Sequence, residues 1–234
     1  MDMTPDRLRT ARLGRDFFAR DALAVAKGLI GCSLVRELGG GAVQVARIVE
    51  TEAYRGPRDL ACHARAGLTR RTRSLLGAEG HAYVFLVYGM HECFNVTCRR
   101  EGAGHAVLIR AAEPLRGFDA GARLDGPGRF AKGMGLSRAN DGADLTEPPL
   151  YLCPRDRRPR LVTTARVGVA YAGEFADVPW RFYDAASDQV SRPPKSSIGR
   201  RGRGGQPPRL SAGAPSALHF ASRDTRGFRS RGGY

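Results

Sequence analysis

The chain has 234 residues, 38 Lys and Arg against 23 Asp and Glu, a formal net charge of +15 and a pI near 10.6. Such an excess of positive charge favours a polyanionic partner through counterion release. No apolar run approaches the roughly 20 residues of a membrane-spanning helix, and the apolar stretch after Asp21 is interrupted by Lys27 and Arg36, so neither a membrane span nor a secretory leader is expected.

In chain order, Asp21 caps an expected helix over 21–30, followed by a strand over 32–38. Gly39, Gly40 and Gly41 supply a turn into a second strand over 43–54, where β-branched residues dominate. Strict alternation would place Val43, Val45, Val49, Thr51 and Ala53 on one face and Ile48, Glu50, Glu52 and Tyr54 on the other. Two carboxylates and a phenol on one face are costly to bury without partners, and a solvated strand face is the ordinary alternative for a lone Glu. The run 82–88 (AYVFLVY) fits a buried central strand. Gly89 then permits a tight turn into a return strand over 90–98, leaving Tyr88 and Met90 at the tip of a hairpin. A large aromatic there suits a wedge into a base stack, or equally the end of a core. Further strands are expected at 105–112, 161–169 and 179–184, with a short helix over 127–135 that has Pro near its start. The elements describe an α+β fold, a single compact domain over 1–194 with a curved, mostly antiparallel sheet.

Residues 195–234 hold nine Lys and Arg and one Asp in a background of Gly, Ser and Pro, so this tail is expected not to fold alone. It is either a nonspecific DNA-holding arm or an extension without a role. Arg outnumbers Lys 35 to 3, which suits phosphate contact and equally reflects coding bias. Five cysteines, odd in number and without paired C-x-x-C spacing, point to reduced thiols in a cytoplasmic setting. His91-Glu92 fails to make a zinc helix motif because Asn95 stands where the second His belongs.

Three separated stretches, ARIVETEAYRGPRDLACHARAG, GHAYVFLVYGMHECFNV and AVLIRAAEPL, resemble the alkyladenine (3-methyladenine) DNA glycosylase family of monofunctional base-excision enzymes. The likeness continues more weakly through GPGRFAKGMGL and ARVGVAYAGEFADVPWRFYD. It implies a DNA-inserting β-hairpin, and a double-stranded DNA partner containing alkylated or deaminated purines, bound by a monomer. It also implies roles for particular residues. Glu52 matches the general base and Arg110 the arginine that helps hold the nucleophilic water, with the backbone carbonyl of Val190 completing the water site. Tyr54, His63 and Phe85 match the residues around the extruded base, Phe85 standing where relatives often carry Tyr. Asn95 matches the residue that discourages a purine 2-amino group, and Tyr88, flanked by Met90, the side chain that fills the gap left by the flipped nucleotide. The link over 115–126 is shorter than the helical insertion of many relatives.

A carboxylate suits such chemistry because it takes a proton and stabilises oxocarbenium-like charge. No cofactor or metal is implied. A Schiff-base lyase would need an amine, and Lys27, Lys132 and Lys195 all fall outside the three stretches, so hydrolysis without strand cleavage is expected. Two alternatives remain: a catalytically silent DNA-damage-binding protein of the same fold, and a metal-dependent hydrolase using Cys62, His63, His81 and Cys93 as ligands.

Overall fold

The computed structural model describes residues 4–191. The expected tail over 195–234 and its boundary lie outside the described residues. Elements follow in the order α1 (Pro5–Thr10), α2 (Arg15–Phe18), α3 (Ala22–Leu29), β1 (Ser33–Gly39), β2 (Ala42–Arg55), β3 (Ala82–Val87), β4 (His91–Cys98), β5 (His105–Arg116), α4 (Pro127–Gly133), β6 (Leu150–Cys153), β7 (Leu161–Thr164) and β8 (Arg181–Asp184). The strands form one eight-stranded sheet ordered β3-β4-β5-β2-β1-β6, with β8 paired to β2 and β7 to β8. Every pairing between these strands is antiparallel. The α+β expectation is met.

Helix α3 starts where its cap dictates, since the Asp21 carboxylate accepts from the Leu23 N–H at 3.0 Å. Its apolar residues Val25, Ala26 and Leu29 are fully buried in one core with Ile48, Val107 and Ile109 of the sheet. Thr51 reaches across the same interface and donates its hydroxyl to the Ala26 carbonyl at 3.0 Å. A second, smaller cluster around Val35, Val43, Val45 and Tyr151 packs Leu8 of α1. Each such aliphatic side chain withdrawn from water contributes about 1.5–3 kcal/mol. Among the described residues no helix is long and apolar enough to cross a membrane.

Strict alternation along β2 fails at one point. Its pairing with β5 is irregular between Ile48 and Thr51, where Glu50 faces Ala111 and both Val49 and Arg110 drop out of the ladder. Ala46 and Ile48 therefore share the α3-facing core with Ala53, although odd and even positions are mixed in that set. Ile48 does not share a face with Glu50, Glu52 and Tyr54 as simple alternation requires. The irregularity is a local bulge of the kind that re-aims side chains.

Other departures are informative. The strand expected at 161–169 ends at Thr164, and the chain then turns so that the Val167 N–H points at Glu52. Strand β5 runs four residues further than 112 and is extended by a bridge between Ala112 and Leu124, which closes the short 115–126 link against the sheet. Strand β6 and helices α1 and α2 were not expected.

Candidate active site

The hairpin between β3 and β4 closes through Met90 N–H donating to the Val87 carbonyl at 3.1 Å. Its two central residues, Tyr88 and Gly89, both have positive φ, +51° and +68°. That is the tight turn whose twist suits paired strands, and its first position normally falls to Asn, Asp or Gly. Tyr88 pays for a left-handed backbone and leaves its ring 88% exposed, while Met90 is 72% exposed beside it. Backbone strain spent on an exposed aromatic has no packing return, which points to a task outside the fold.

Behind the hairpin lies a cavity of about 370 Å³ lined by Tyr54, His63, Phe85, Tyr88, Asn95 and Arg110, with Tyr83, Cys93, Val167 and Tyr171 among the other residues of its wall. Tyr54 and Arg110 come from β2 and β5, Phe85 and Asn95 from the hairpin strands, and His63 from a 3₁₀ turn over His63–Ala66. A second depression shares Tyr88, Cys93, Arg110, Pro127 and Val167 with the cavity and continues past Arg123 and Arg129 to Ser191. Six of the nine residues singled out from sequence thus converge on one cavity.

Glu52 sits one layer behind the wall, fully buried. One carboxylate oxygen accepts from the Val167 N–H at 2.7 Å and lies 3.3 Å from Arg110 Nη1, and the other accepts from the Tyr54 hydroxyl at 2.9 Å. All three of these partners line the cavity. Burial pushes the Tyr54 phenol well above its ordinary range, and the neighbouring Glu52 charge pushes the same way, so it remains a donor.

The second carboxylate, Glu50, is equally buried and carries the heavier network. It accepts from Arg110 Nε at 2.8 Å, Arg181 Nε at 2.6 Å, the Ser191 N–H at 2.7 Å and the Ser191 hydroxyl at 2.8 Å. Arg110 thus bridges both carboxylates. Burial alone would weaken its charge, but Glu52 and then Glu50 outweigh it and hold the guanidinium above its usual range. Val190 adjoins Ser191, whose N–H and hydroxyl both go to Glu50.

A third buried pair supports the Val167 contact. Arg166 Nη1 and Nη2 grip the Asp59 carboxylate at 2.6 and 2.8 Å, and the guanidinium lies 4.7 Å from the Tyr54 ring centroid and 5.0 Å from that of Trp180. Both charged side chains are fully buried. Arg166, Asp59, Arg181, Ser191 and Tyr171 were not found from sequence. Their only signal there is an Arg or Asp inside an otherwise apolar neighbourhood, which does not say what it pairs with.

The aromatic wall is preset. His63 Nδ1 lies 3.0 Å from the Tyr83 hydroxyl and its ring stands edge-on to Phe85, centroids 4.6 Å apart. Burial, then the nearby Arg71 charge, lowers His63 to about 4, so it is neutral near pH 7. Asn95, 3% exposed, donates both amide hydrogens to the carbonyls of Tyr83 and Cys93 at 3.0 and 3.3 Å and cannot swing aside. Among the described residues no group of three His, Cys, Asp or Glu is placed to hold a metal ion. Of the four ligands such a site would need, His63 is engaged by Tyr83, and His81 Nδ1 lies 3.3 Å from Arg15 Nη1 and 3.1 Å from the Glu79 carbonyl.

The model of the methylpurine-DNA glycosylase family matches residues 16–188. The chain belongs to that family. Among its curated relatives, a protein of Myxococcus xanthus is 50% identical over 184 residues, covering 78% of this chain and 94% of that protein. One of Methanocella arvoryzae is 45% identical over 192 residues, covering 77% and 96%, and one of Legionella pneumophila (strain Lens) is 42% identical over 185 residues, covering 77% and 98%. All three carry the description "Putative 3-methyladenine DNA glycosylase". The glycosylase is accordingly a hydrolase of DNA repair. The matched span contains both carboxylates, the hairpin and every cavity residue named above, while Val190 and Ser191 lie just beyond it.

Proposed function

We propose that the enzyme extrudes alkylated purines, and hypoxanthine with them, from double-stranded DNA into the cavity and hydrolyses the glycosidic bond with a water activated by Glu52. The single observation that carries this reading is the buried Glu52 carboxylate held by three groups that themselves line an aromatic cavity. A carboxylate offers about four acceptor sites, and the Val167, Tyr54 and Arg110 contacts take three, leaving one for water.

In the proposed reaction Tyr88, backed by Met90, fills the gap in the base stack while the flipped purine enters between Tyr54, His63 and Phe85. The bond between C1′ and the base nitrogen breaks with its electron pair leaving on the base. The water's oxygen bonds to C1′ as its proton passes to Glu52, whose charge also stabilises the oxocarbenium-like centre. Arg110 holds Glu52 and the water in place, and the Val190 carbonyl offers the water a further acceptor. Asn95, pinned by two carbonyls, excludes bases that need room for a 2-amino group. The product is an abasic site on an intact strand, a reading supported by the cavity lining, which among the described residues includes neither Lys27 nor Lys132. The enzyme acts as a monomer in the cytoplasm on DNA, without a cofactor.

The catalytically silent damage binder draws on one observation, the complete burial of Glu52. Single-turnover release of free base from duplex DNA containing hypoxanthine, and from methylated DNA, separates the two with EDTA present. Release by the wild type that is lost in Glu52→Gln while damaged DNA is still bound supports the hydrolase. Binding without release by either protein supports the silent binder, and release abolished by EDTA would return the metal-dependent reading.

A further inference from the structure

Phe85 is a partition. It borders the base cavity and also a surface groove lined by Arg70, Arg71, Glu92, Arg138 and Asp141. Arg71 lines the groove and is absent from the cavity wall, yet its guanidinium stands 5.0 Å from the Phe85 ring centroid and its Nη2 lies 3.3 Å from His63 Nε2. Arginine can only donate, so His63 Nε2 is the acceptor and Nδ1 carries the proton that goes to Tyr83. The two carboxylates of the groove are engaged elsewhere, Glu92 with Arg138 and Asp141 with Ser74 and the Val84 N–H. Among the described residues no carboxylate lies within ion-pair distance of Arg71, and its charge acts on Phe85, His63 and Tyr83.

We propose that Arg71 is a specificity-determining residue that favours excision of neutral purines over cationic ones by placing a fixed positive charge behind the Phe85 ring. The inference rests on the base-excision reading above. When the bond from C1′ to a neutral purine breaks, the electron pair leaves a negative charge on the base, which a cation across the ring stabilises. When the purine is already cationic, Arg71 repels the ring through Phe85 as it enters, and the departing electron pair does no more than relieve that repulsion, so from the stacked base to the transition state the cationic purine gains little. The discrimination arises over entry and cleavage together, since in cleavage alone the charge of either base falls by the same one unit. Neither His63 nor Tyr83 is set to replace this assistance by giving the leaving purine a proton. His63 is neutral, its one N–H is committed to Tyr83, and burial pushes the Tyr83 hydroxyl up to about 12. Across a separation of about 8 Å near the protein surface, an elementary charge corresponds to roughly a three- to tenfold effect after allowance for solvent screening.

The test is single-turnover release at subsaturating enzyme, where binding, base entry and cleavage are all read, comparing hypoxanthine in a defined duplex with 3-methyladenine from methylated DNA, for wild type, Arg71→Gln and Arg71→Lys. Arg71 is exposed, and a thermal melt confirms that each variant is folded. Arg71→Gln is expected to raise the ratio of 3-methyladenine to hypoxanthine release about three- to tenfold, mainly by slowing hypoxanthine, while Arg71→Lys stays within about twofold of wild type. Equal slowing of both lesions by Arg71→Gln, as for a plain phosphate contact, would overturn the inference, and so would a ratio that falls. Release of neither base by the wild type would overturn the base-excision reading and this inference with it.

Discussion

Glu50→Gln is the sharpest test of how the site is held together. The substitution preserves shape but removes the charge that Arg110 and Arg181 both face inside the protein, at 2.8 and 2.6 Å. Glu52 would then be the only carboxylate of this network left to Arg110, through a longer 3.3 Å contact, and Arg181 would lose its ion-pair partner. Breaking a buried ion pair by deleting one partner costs about 3–5 kcal/mol, because the remaining charge stays desolvated. Against a typical total of about 5–15 kcal/mol, this is a large fraction. With about 2–4 °C per kcal/mol for a domain of this size, the melting temperature should fall by about 6–20 °C. Urea unfolding of the wild type, Glu50→Gln, Arg181→Gln and the double variant measures it. Removing Arg181 along with Glu50 takes away the stranded charge, so the double variant should lose less than the sum of the singles by more than about 1 kcal/mol. A loss below about 1 kcal/mol for Glu50→Gln, or simple additivity, would refute the reasoning. In folded Glu50→Gln, single-turnover release should also slow by about tenfold or more, because Arg110 loses the anchor that aims it at Glu52.

Three further outcomes are expected. Asp59→Asn strands the fully buried Arg166 and should cost about 3–5 kcal/mol in urea unfolding, with slower base release because Val167 adjoins Arg166. Tyr88→Asn gives the hairpin the Asn-Gly pair its turn prefers, so the melting temperature should hold or rise slightly while excision from paired duplex falls at least tenfold; a clear loss of stability would mean that the ring packs. Burial, opposed in part by Asp21, lowers buried His105 to about 4, from about 6.5 when unfolded, so between these values the unfolded chain binds more protons and stability falls as pH falls. Its share of the loss between pH 7.5 and pH 5 is about 2 kcal/mol, read as the part of the wild-type pH dependence that disappears in His105→Gln.

What the sequence made legible follows from the range of the forces involved. The α3 cap, the limits of β2 and the hairpin depend on neighbouring residues, so Asp21, the β-branched run and Gly89 announce them. The face assignment in β2 depended on a bulge created jointly with β5, some sixty residues away, and alternation carries no trace of that. The same limit hid the supports of the site. Glu50 and Glu52 stand two residues apart and read as equals in sequence. Folding gives Glu52 three partners that open onto the cavity, and gives Glu50 two guanidiniums and the Ser191 hydroxyl and N–H behind it. Arg181 and Ser191 come from the end of the described chain and Arg166 from a loop that sequence reading extended as a strand.

That division explains why two costly buried carboxylates persist side by side on one strand. A lone buried Glu52 facing Arg110 would leave a long, mobile guanidinium with one longer contact, and its position would drift with every opening of the cavity. Glu50 fixes Arg110 from behind through Nε, so the Nη1 that meets Glu52 has little freedom left. The desolvation cost of the pair is offset by four charge-assisted bonds to Glu50, two of them from guanidiniums, and to a smaller extent by the Val167, Tyr54 and Arg110 contacts of Glu52. The stability of the site and its chemical readiness therefore sit on different carboxylates, and substitutions at the two should separate accordingly. Glu52→Gln should abolish base release at a modest stability cost, while Glu50→Gln should destabilise strongly and slow release less. Equal stability losses with equal loss of release would show that the two carboxylates act as one undivided cluster.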